Sequence, residues 1–188
     1  MTQPSKYLVK GSSVRAYLTE LQETKKLEAL TARVSPEAAA LVRDPPMPSS
    51  WVDAHRMGEL VEAYSGLAGH EAALELGRAV VGKHMLPFFL PMLTGIMRVI
   101  GVSPASLFAR FGTIVQTSVR GVDYRYQALS DTSGRMETGY DTNRSLTWAV
   151  FAQNVAGLEA IFRVCGAKGS VGAIEIVNPQ TARYPLSW

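Results

Sequence analysis

Through roughly the first two thirds of the chain, apolar residues recur three and four positions apart; beyond that they alternate with polar ones. The change of period predicts helices followed by a sheet. Leu18, Leu21, Leu27 and Leu30, set among charged residues, predict a surface helix over 14–33. Ser35-Pro36 reads as an N-cap with proline in the first helical position and opens a short helix to residue 42. The stretch 44–50, Asp-Pro-Pro-Met-Pro-Ser-Ser, is the clearest break. Each proline there fixes its own φ and biases its predecessor to an extended state, so the connector is stiff. Met57, Leu60, Val61 and Tyr64 share one face of a helix over 52–64, and Ala73, Leu76, Val80 and Val81 mark another over 70–83. The almost wholly apolar run 84–102 predicts a helix broken near Pro87 and Pro91. Ser103-Pro104 repeats the cap signature and opens a helix bearing Leu107, Phe108, Phe111, Ile114 and Val115.

Val122, Tyr124, Tyr126 and Ala128 then alternate with Asp123, Arg125 and Gln127, and a turn at 131–135 leads to a second extended run ending at Tyr140. This predicts a β-hairpin. A helix follows over 146–164 with Gly166 as its stop, and two strands, 170–177 and 183–188, close the chain. The expected fold class is α+β: helices, then helix, β-hairpin, helix, β-hairpin, giving a small antiparallel sheet packed on helices. We expect one domain over 1–188. Its parts are a helical region with the proline-rich connector over 1–50, a helical core over 51–118 and a hairpin–helix–hairpin unit over 119–188.

Composition narrows the function classes. With 47% hydrophobic and 19% charged residues the chain is globular and rather apolar, which implies a pocket or an interface. Its net charge of +3 comes from cations spread without a basic run, which argues against nucleic acid as a partner. Cys165 is the single cysteine, so neither an internal disulfide nor a cysteine zinc site is expected, and a cytoplasmic location fits. The amino-terminal residues lack the apolar core of a signal peptide. The run 84–102 carries Pro87, Pro91, Gly95 and Arg98 and falls short of a comfortable span, so no membrane-spanning segment is expected.

No catalytic or metal motif stands out, and we expect no enzymatic activity. His55, His70 and His84 lie too far apart for ligands on one helix; His84, beside the aromatic run, is the best candidate haem ligand. Cys165 reads as a buried, inert thiol, and Asp123, Asp131, Glu137 and Asp141 as solvated charges around the hairpin. The concentration of Phe88, Phe89, Met92, Met97, Phe108 and Phe111 is more informative. Rings and thioethers line adaptable apolar cavities, fill cores and form interfaces, and sequence leaves the three open. Tyr140-Asp-Thr-Asn-Arg144 sets two hydroxyls and a guanidinium where the hairpin ends and a helix begins, which suits either a capping turn or a polar anchor for an anion.

That pentapeptide resembles, with threonine for serine, the Y-x-S-x-R signature of haem-nitric-oxide/oxygen-binding sensor domains, and the order of the last five elements is similar. The resemblance implies that Tyr140, Thr142 and Arg144 stand where that family holds the haem propionates. It also implies a haem-ligating histidine about thirty residues upstream, where this chain reads Arg110-Phe111-Gly112. A second resemblance, to a paralogous family of myxobacterial proteins of unknown function, rests on Val9-Lys10-Gly11, Ser35-Pro36-Glu37, the Pro-Ser-Ser-Trp of 48–51 and the closing Leu-Ser-Trp.

The resulting expectation is a non-enzymatic, sensor-like domain for a small apolar or lipid-like molecule, acting in intracellular regulation through a protein partner or as a homodimer. Phe88, Phe89, Met92, Met97, Phe108 and Phe111 line the pocket in this reading, Tyr140, Thr142 and Arg144 anchor a polar group, and the expected cofactor is none. The alternatives are a ligand-free protein–protein interaction module and a haem-binding gas sensor with non-standard ligation.

Overall fold

The structure, a computed structural model, describes residues 6–100 and 103–188; the first five residues and Gly101-Val102, which end the apolar run, lie outside the described residues. Strand β1 (Leu8–Lys10) pairs antiparallel with both β2 (Trp51–Asp53) and β3 (Val119–Arg120). This three-stranded sheet ties the start of the chain to its middle. Helix α1 (Gly11–Glu23) follows β1 at once, with no side-chain cap at Lys10. The proline-rich connector supplies the cap instead. The carbonyls of Ser50 and Pro48 accept from the Gly11 and Ser12 N–H groups, and Arg15 donates to the carbonyls of Pro46 and Pro45. The approach is so close that a Cβ on Gly11 would overlap the Met47 carbonyl.

The expected helix over 14–33 divides into α1 and α2 (Leu27–Thr31). Lys25, with φ of 57°, turns the chain between them, where Thr24-Lys25-Lys26 offers no apolar residue to hold a continuous face. Helix α3 (Pro36–Arg43) opens as its signature predicts, Ser35 accepting from the Ala38 N–H at 3.2 Å. Helices α4 (Ala54–Ala68) and α5 (His70–Val80) follow.

The apolar run does not break at its prolines. From α5 the backbone passes through one wide π-helical turn, Val81–Met85, into α6 (Leu86–Ile100). Pro87 lacks an N–H, and its ring crowds the carbonyl four residues back, that of Lys83; widening the preceding turn makes room and lets the helix continue. Short helices α7 (Pro104–Phe108) and α8 (Phe111–Val115) lead to β3.

The second sheet has the order β4-β5-β8-β6, from β4 (Val122–Ser130), β5 (Ser133–Tyr140), β6 (Ser170–Val171) and β8 (Thr181–Ser187), with β7 (Glu175–Asn178) also on β8. Alternation decides its inner face: Met136, Thr138 and Tyr140 on β5, and Ala182, Tyr184 and Leu186 on β8, are all buried. Helix α9 (Trp148–Cys165) lies in the core with ten buried residues and ends at Gly166 in the left-handed conformation, as predicted. The α+β class with an antiparallel sheet packed on helices is therefore observed. No helix among the described residues is long and apolar enough to cross a membrane.

Candidate functional site

A cavity of about 130 Å³ lies where β1, α1, α8, α9, β4 and β5 meet. Val9, Val115, Val122, Phe89 and Phe111 form its apolar walls, with the thioethers of Met57 and Met85. A wholly apolar extension of about 80 Å³ runs toward Leu93 and Ile161, and Met85, Phe89 and Phe111 line both spaces. These residues stand side by side because α6 turns Phe89 and Leu93, one helical turn apart, toward the core.

The polar lining of the cavity includes Ser13, Ser118 and four tyrosines, and its two amides come from one place on α9. Gln153 and Asn154 are adjacent polar residues in the mostly apolar first three turns of α9, and they serve one and three tyrosines respectively. Tyr17 donates to Gln153 Oε1 at 2.9 Å. Asn154 accepts from Tyr124 at 3.2 Å and donates to Tyr140 at 2.6 Å and Tyr184 at 2.9 Å; Tyr184 in turn donates to the Phe151 carbonyl. Burial raises the pKa of all these phenols, Tyr140 to about 12 and Tyr7, Tyr124 and Tyr184 well above the ordinary value, and neighbouring tyrosines push Tyr7 and Tyr124 further. The phenols are thus held neutral, as hydrogen-bonding groups rather than phenolate ligands.

A second pocket of about 190 Å³ shares Tyr7 and Val150 with the cavity and is lined by His55, Glu59, Glu62, Arg144, Ser145 and Thr147. His55 Nε2 lies 2.7 Å from Thr142 Oγ1, which also accepts from the Arg144 N–H. Burial lowers the His55 pKa, and the Arg144 charge adds to this against the opposing Asp53, so the ring is neutral near pH 7. Thr147 occupies the N-cap of α9, yet its buried Oγ1 neither caps the helix nor meets any partner. An unpartnered buried hydroxyl in a pocket that Arg144 also lines suits an incoming anionic oxygen.

On the other side, a groove of about 380 Å³ is lined by Lys10, Ser12, Ser13, His84, Phe88 and Thr117, and shares Met85 and Phe89 with the cavity. At its edge Glu20, 7% exposed, takes Lys83 Nζ on Oε2 at 2.8 Å and His84 Nε2 on Oε1 at 2.7 Å. The wide π turn brings these two successive side chains onto one carboxylate. Burial opposes the Glu20 charge, but the hydrogen bonds and charges of Lys83 and His84 outweigh it and hold the carboxyl below its ordinary value of 4.5. Because the folded pKa is depressed, this pair stabilises the fold above the unfolded value and loses that contribution as pH falls through the folded one. In urea denaturation, the gap between the native protein and Glu20→Gln is therefore expected to be widest near pH 7 and to narrow toward about pH 3. A gap independent of pH would refute this role for the charge.

The sequence-derived positions are distributed unevenly. Phe89 and Phe111 line the cavity, as does Tyr140. Phe88 stands 73% exposed at the groove, Met92 is 37% exposed on α6, and Met97 is half-buried against the core. Phe108 is buried among Tyr126, Phe162 and Trp188, outside the cavity. Thr142 adjoins the His55 pocket and Arg144 lines it. His84 belongs to the outer groove, and His70 stacks on Trp148 at 4.1 Å. Burial raises the Cys165 pKa, which leaves the thiol unactivated. Among the described residues no group of three or more His, Cys, Asp or Glu could hold a metal ion. Sequence reading misses the amide pair and Glu20. The amide pair has a legible signal, two adjacent polar residues inside Phe-Ala-Gln-Asn-Val-Ala; Glu20 has none, being one of several acids on an amphipathic helix.

No family model and no curated protein matches the chain. Solved structures do. The chain is similar to an Fe(II) unliganded H-NOX protein from K. algicida, with 8% identity, 95% of each chain covered and a TM-score of 0.68. It is similar to a mutant of the H-NOX from T. tengcongensis at 12% identity, covering 95% of this chain and 96% of that one, with a TM-score of 0.57. A third is an oxygen-binding H-NOX domain related to soluble guanylate cyclases, in its oxygen complex, at 12% identity over 94% and 92% of the chains, with a TM-score of 0.54. These values establish a shared fold, in agreement with the resemblance drawn from Tyr140-Asp-Thr-Asn-Arg144. They also correct one expectation. A chain that reads Arg110-Phe111-Gly112 about thirty residues before that turn, with no histidine after His84, suggests no cofactor, whereas neighbours that share the fold over nearly their whole length are described by their iron, their heme and their bound oxygen.

Proposed function

We propose that this chain is a non-catalytic sensor domain that holds haem in the cavity beneath the Tyr140–Arg144 turn, ligates it without histidine, and reports its state to a protein partner. The observation that carries this reading is a cavity, apolar along its walls and polar at one edge, in a fold shared with haem-bearing H-NOX domains. The residues present suit the group. Phe89, Phe111, Val115 and Val122 would flank the macrocycle; Arg144, Thr142 and the unpartnered Thr147 hydroxyl would take its carboxylates. The tyrosines are held neutral, so the thioether of Met85, which needs no deprotonation, is the donor best suited to iron. Haem would supply a metal with a coordination position for a small gas. The chain's own residues would exclude water from it and present Asn154 and the tyrosine hydroxyls as hydrogen-bonding groups. At about 130 Å³ and 80 Å³ the cavity and its extension fall short of the roughly 300–1,000 Å³ of a ligand pocket, so haem would have to displace the Phe89 and Phe111 side chains that line both.

The test is spectroscopic. Protein produced with ample haem precursor, or titrated with hemin, is expected to show a Soret band at one haem per chain. Arg144→Ala should weaken retention, and Met85→Ala should shift the band. No Soret band under either condition would overturn the haem reading. One observation favours a second reading, a small apolar or lipid-like ligand: the groove beside Phe88 shares Met85 and Phe89 with the cavity, which gives such a molecule a way in. Native mass spectrometry of the purified protein separates the two by ligand mass.

A further inference from the structure

From residue 76 to residue 122 the sequence contains no Asp or Glu, while Arg78, Lys83, Arg98, Arg110 and Arg120 all fall within it. Inside this acid-free stretch α6 buries Phe89 and Leu93 and leaves a different face to solvent. There Phe88, 73% exposed, and Met92, 37% exposed, share one face with the exposed Pro91 and Gly95, at i, i+4, i+3 and i+7, while Leu90, 45% exposed, lies round the helix from them. Contiguous exposed apolar surface of this kind marks an interaction site. Its surroundings are cationic. Lys83 and His84 precede α6 and are exposed, and Lys10 shares the groove that Phe88 lines. Glu20, the carboxylate at the groove edge, is already engaged by Lys83 and His84.

We infer that the exposed face of α6 is a peripheral docking surface for an anionic lipid bilayer, into which Phe88, Pro91 and Met92 dip while the flanking cations meet the headgroups. Two arguments select this occupant. A few protruding rings and thioethers amount to far less than the roughly 800 Å² per partner of a stable protein interface, whereas a helix lying in a membrane interface needs only a shallow apolar face. Around the groove Lys10 and Lys83 outnumber the single carboxylate of Glu20, so the border carries a net positive charge that complements anionic headgroups; against a second copy of the same face it would repel. The helix would lie on the bilayer rather than cross it, in keeping with the lack of any spanning helix among the described residues.

Co-sedimentation of the full chain with vesicles tests this. Binding is expected to vesicles of phosphatidylcholine mixed with phosphatidylglycerol, to be much weaker to phosphatidylcholine alone, and to fall when salt is raised to about 0.5 M. Phe88→Glu should lower it by about tenfold, and because Phe88 is exposed the variant should keep its thermal midpoint. Met92→Glu gives an independent check. The inference fails if anionic vesicles bind no better than neutral ones, if both variants bind like the native chain, or if light scattering shows a dimer that Phe88→Glu dissociates while vesicle binding is absent.

Discussion

Replacing Asn154 by leucine is expected to destabilise the protein by about 2–4 kcal/mol, because it leaves buried hydroxyls without the partner that now serves them. One side chain satisfies Tyr124, Tyr140 and Tyr184, which come from three different strands of the second sheet. Tyr184 keeps its bond to the Phe151 carbonyl, so the cost falls on Tyr124 and Tyr140. Leucine has a similar volume, which separates lost hydrogen bonding from lost packing. Adding Tyr140→Phe to Asn154→Leu should recover part of the loss, since the second change removes an orphaned hydroxyl; a double-mutant cycle in urea reads the coupling directly. Strict additivity in that cycle would mean that Asn154 is not the hub of the network. The same variant should also alter the spectrum of any gas complex formed by the haem-loaded protein, because it removes the amide from the cavity wall.

The second large effect concerns Phe108, and it distinguishes core from cavity within the aromatic cluster. Phe108 is 1% exposed and packs edge-on against Phe162 at 5.2 Å, with Tyr126 at 5.8 Å and Trp188 at 5.9 Å. Phe108→Ala is expected to cost about 3–5 kcal/mol, as the transfer term and the void act together. A five-residue helix such as α7 has no other large fully buried anchor than Leu107 and Phe108, so it has little with which to close the gap. Ligand affinity per folded molecule should be unchanged, because Phe108 lines none of the spaces described above. A lowered denaturation midpoint with native-like ligand affinity is the expected pair of results. Loss of affinity in a fully folded Phe108→Ala protein would place this ring in the site after all.

Local chemistry written into neighbouring residues was enough to determine much of this molecule. Ser35-Pro36 and Ser103-Pro104 start their helices through a side-chain oxygen three residues from the N–H it serves, and Gly166 stops α9 through its own backbone freedom. The period-two run from Val122 to Tyr140 places alternate residues on one sheet face whatever surrounds it, so the hairpin and its buried side were legible, as was the resemblance carried by Tyr140-Asp-Thr-Asn-Arg144. The proline run at 44–50 was legible as a stiff break, but its use as the cap of α1 was not, because those carbonyls meet Gly11 across more than thirty residues of chain.

Tertiary structure alone decided which members of the aromatic and methionine cluster share a space. Phe88 and Phe89 are adjacent in sequence and identical in chemistry, yet one faces solvent and the other the cavity, because the orientation of α6 depends on what packs beneath it. It also decided that Tyr140 and Arg144, four residues apart, serve two adjoining pockets, and that Glu20 meets both Lys83 and His84 across a turn widened to accommodate a proline. Spacing along a chain fixes which residues can share a face of one element. The contents of a cavity depend on how several elements meet, and that geometry comes from long-range packing.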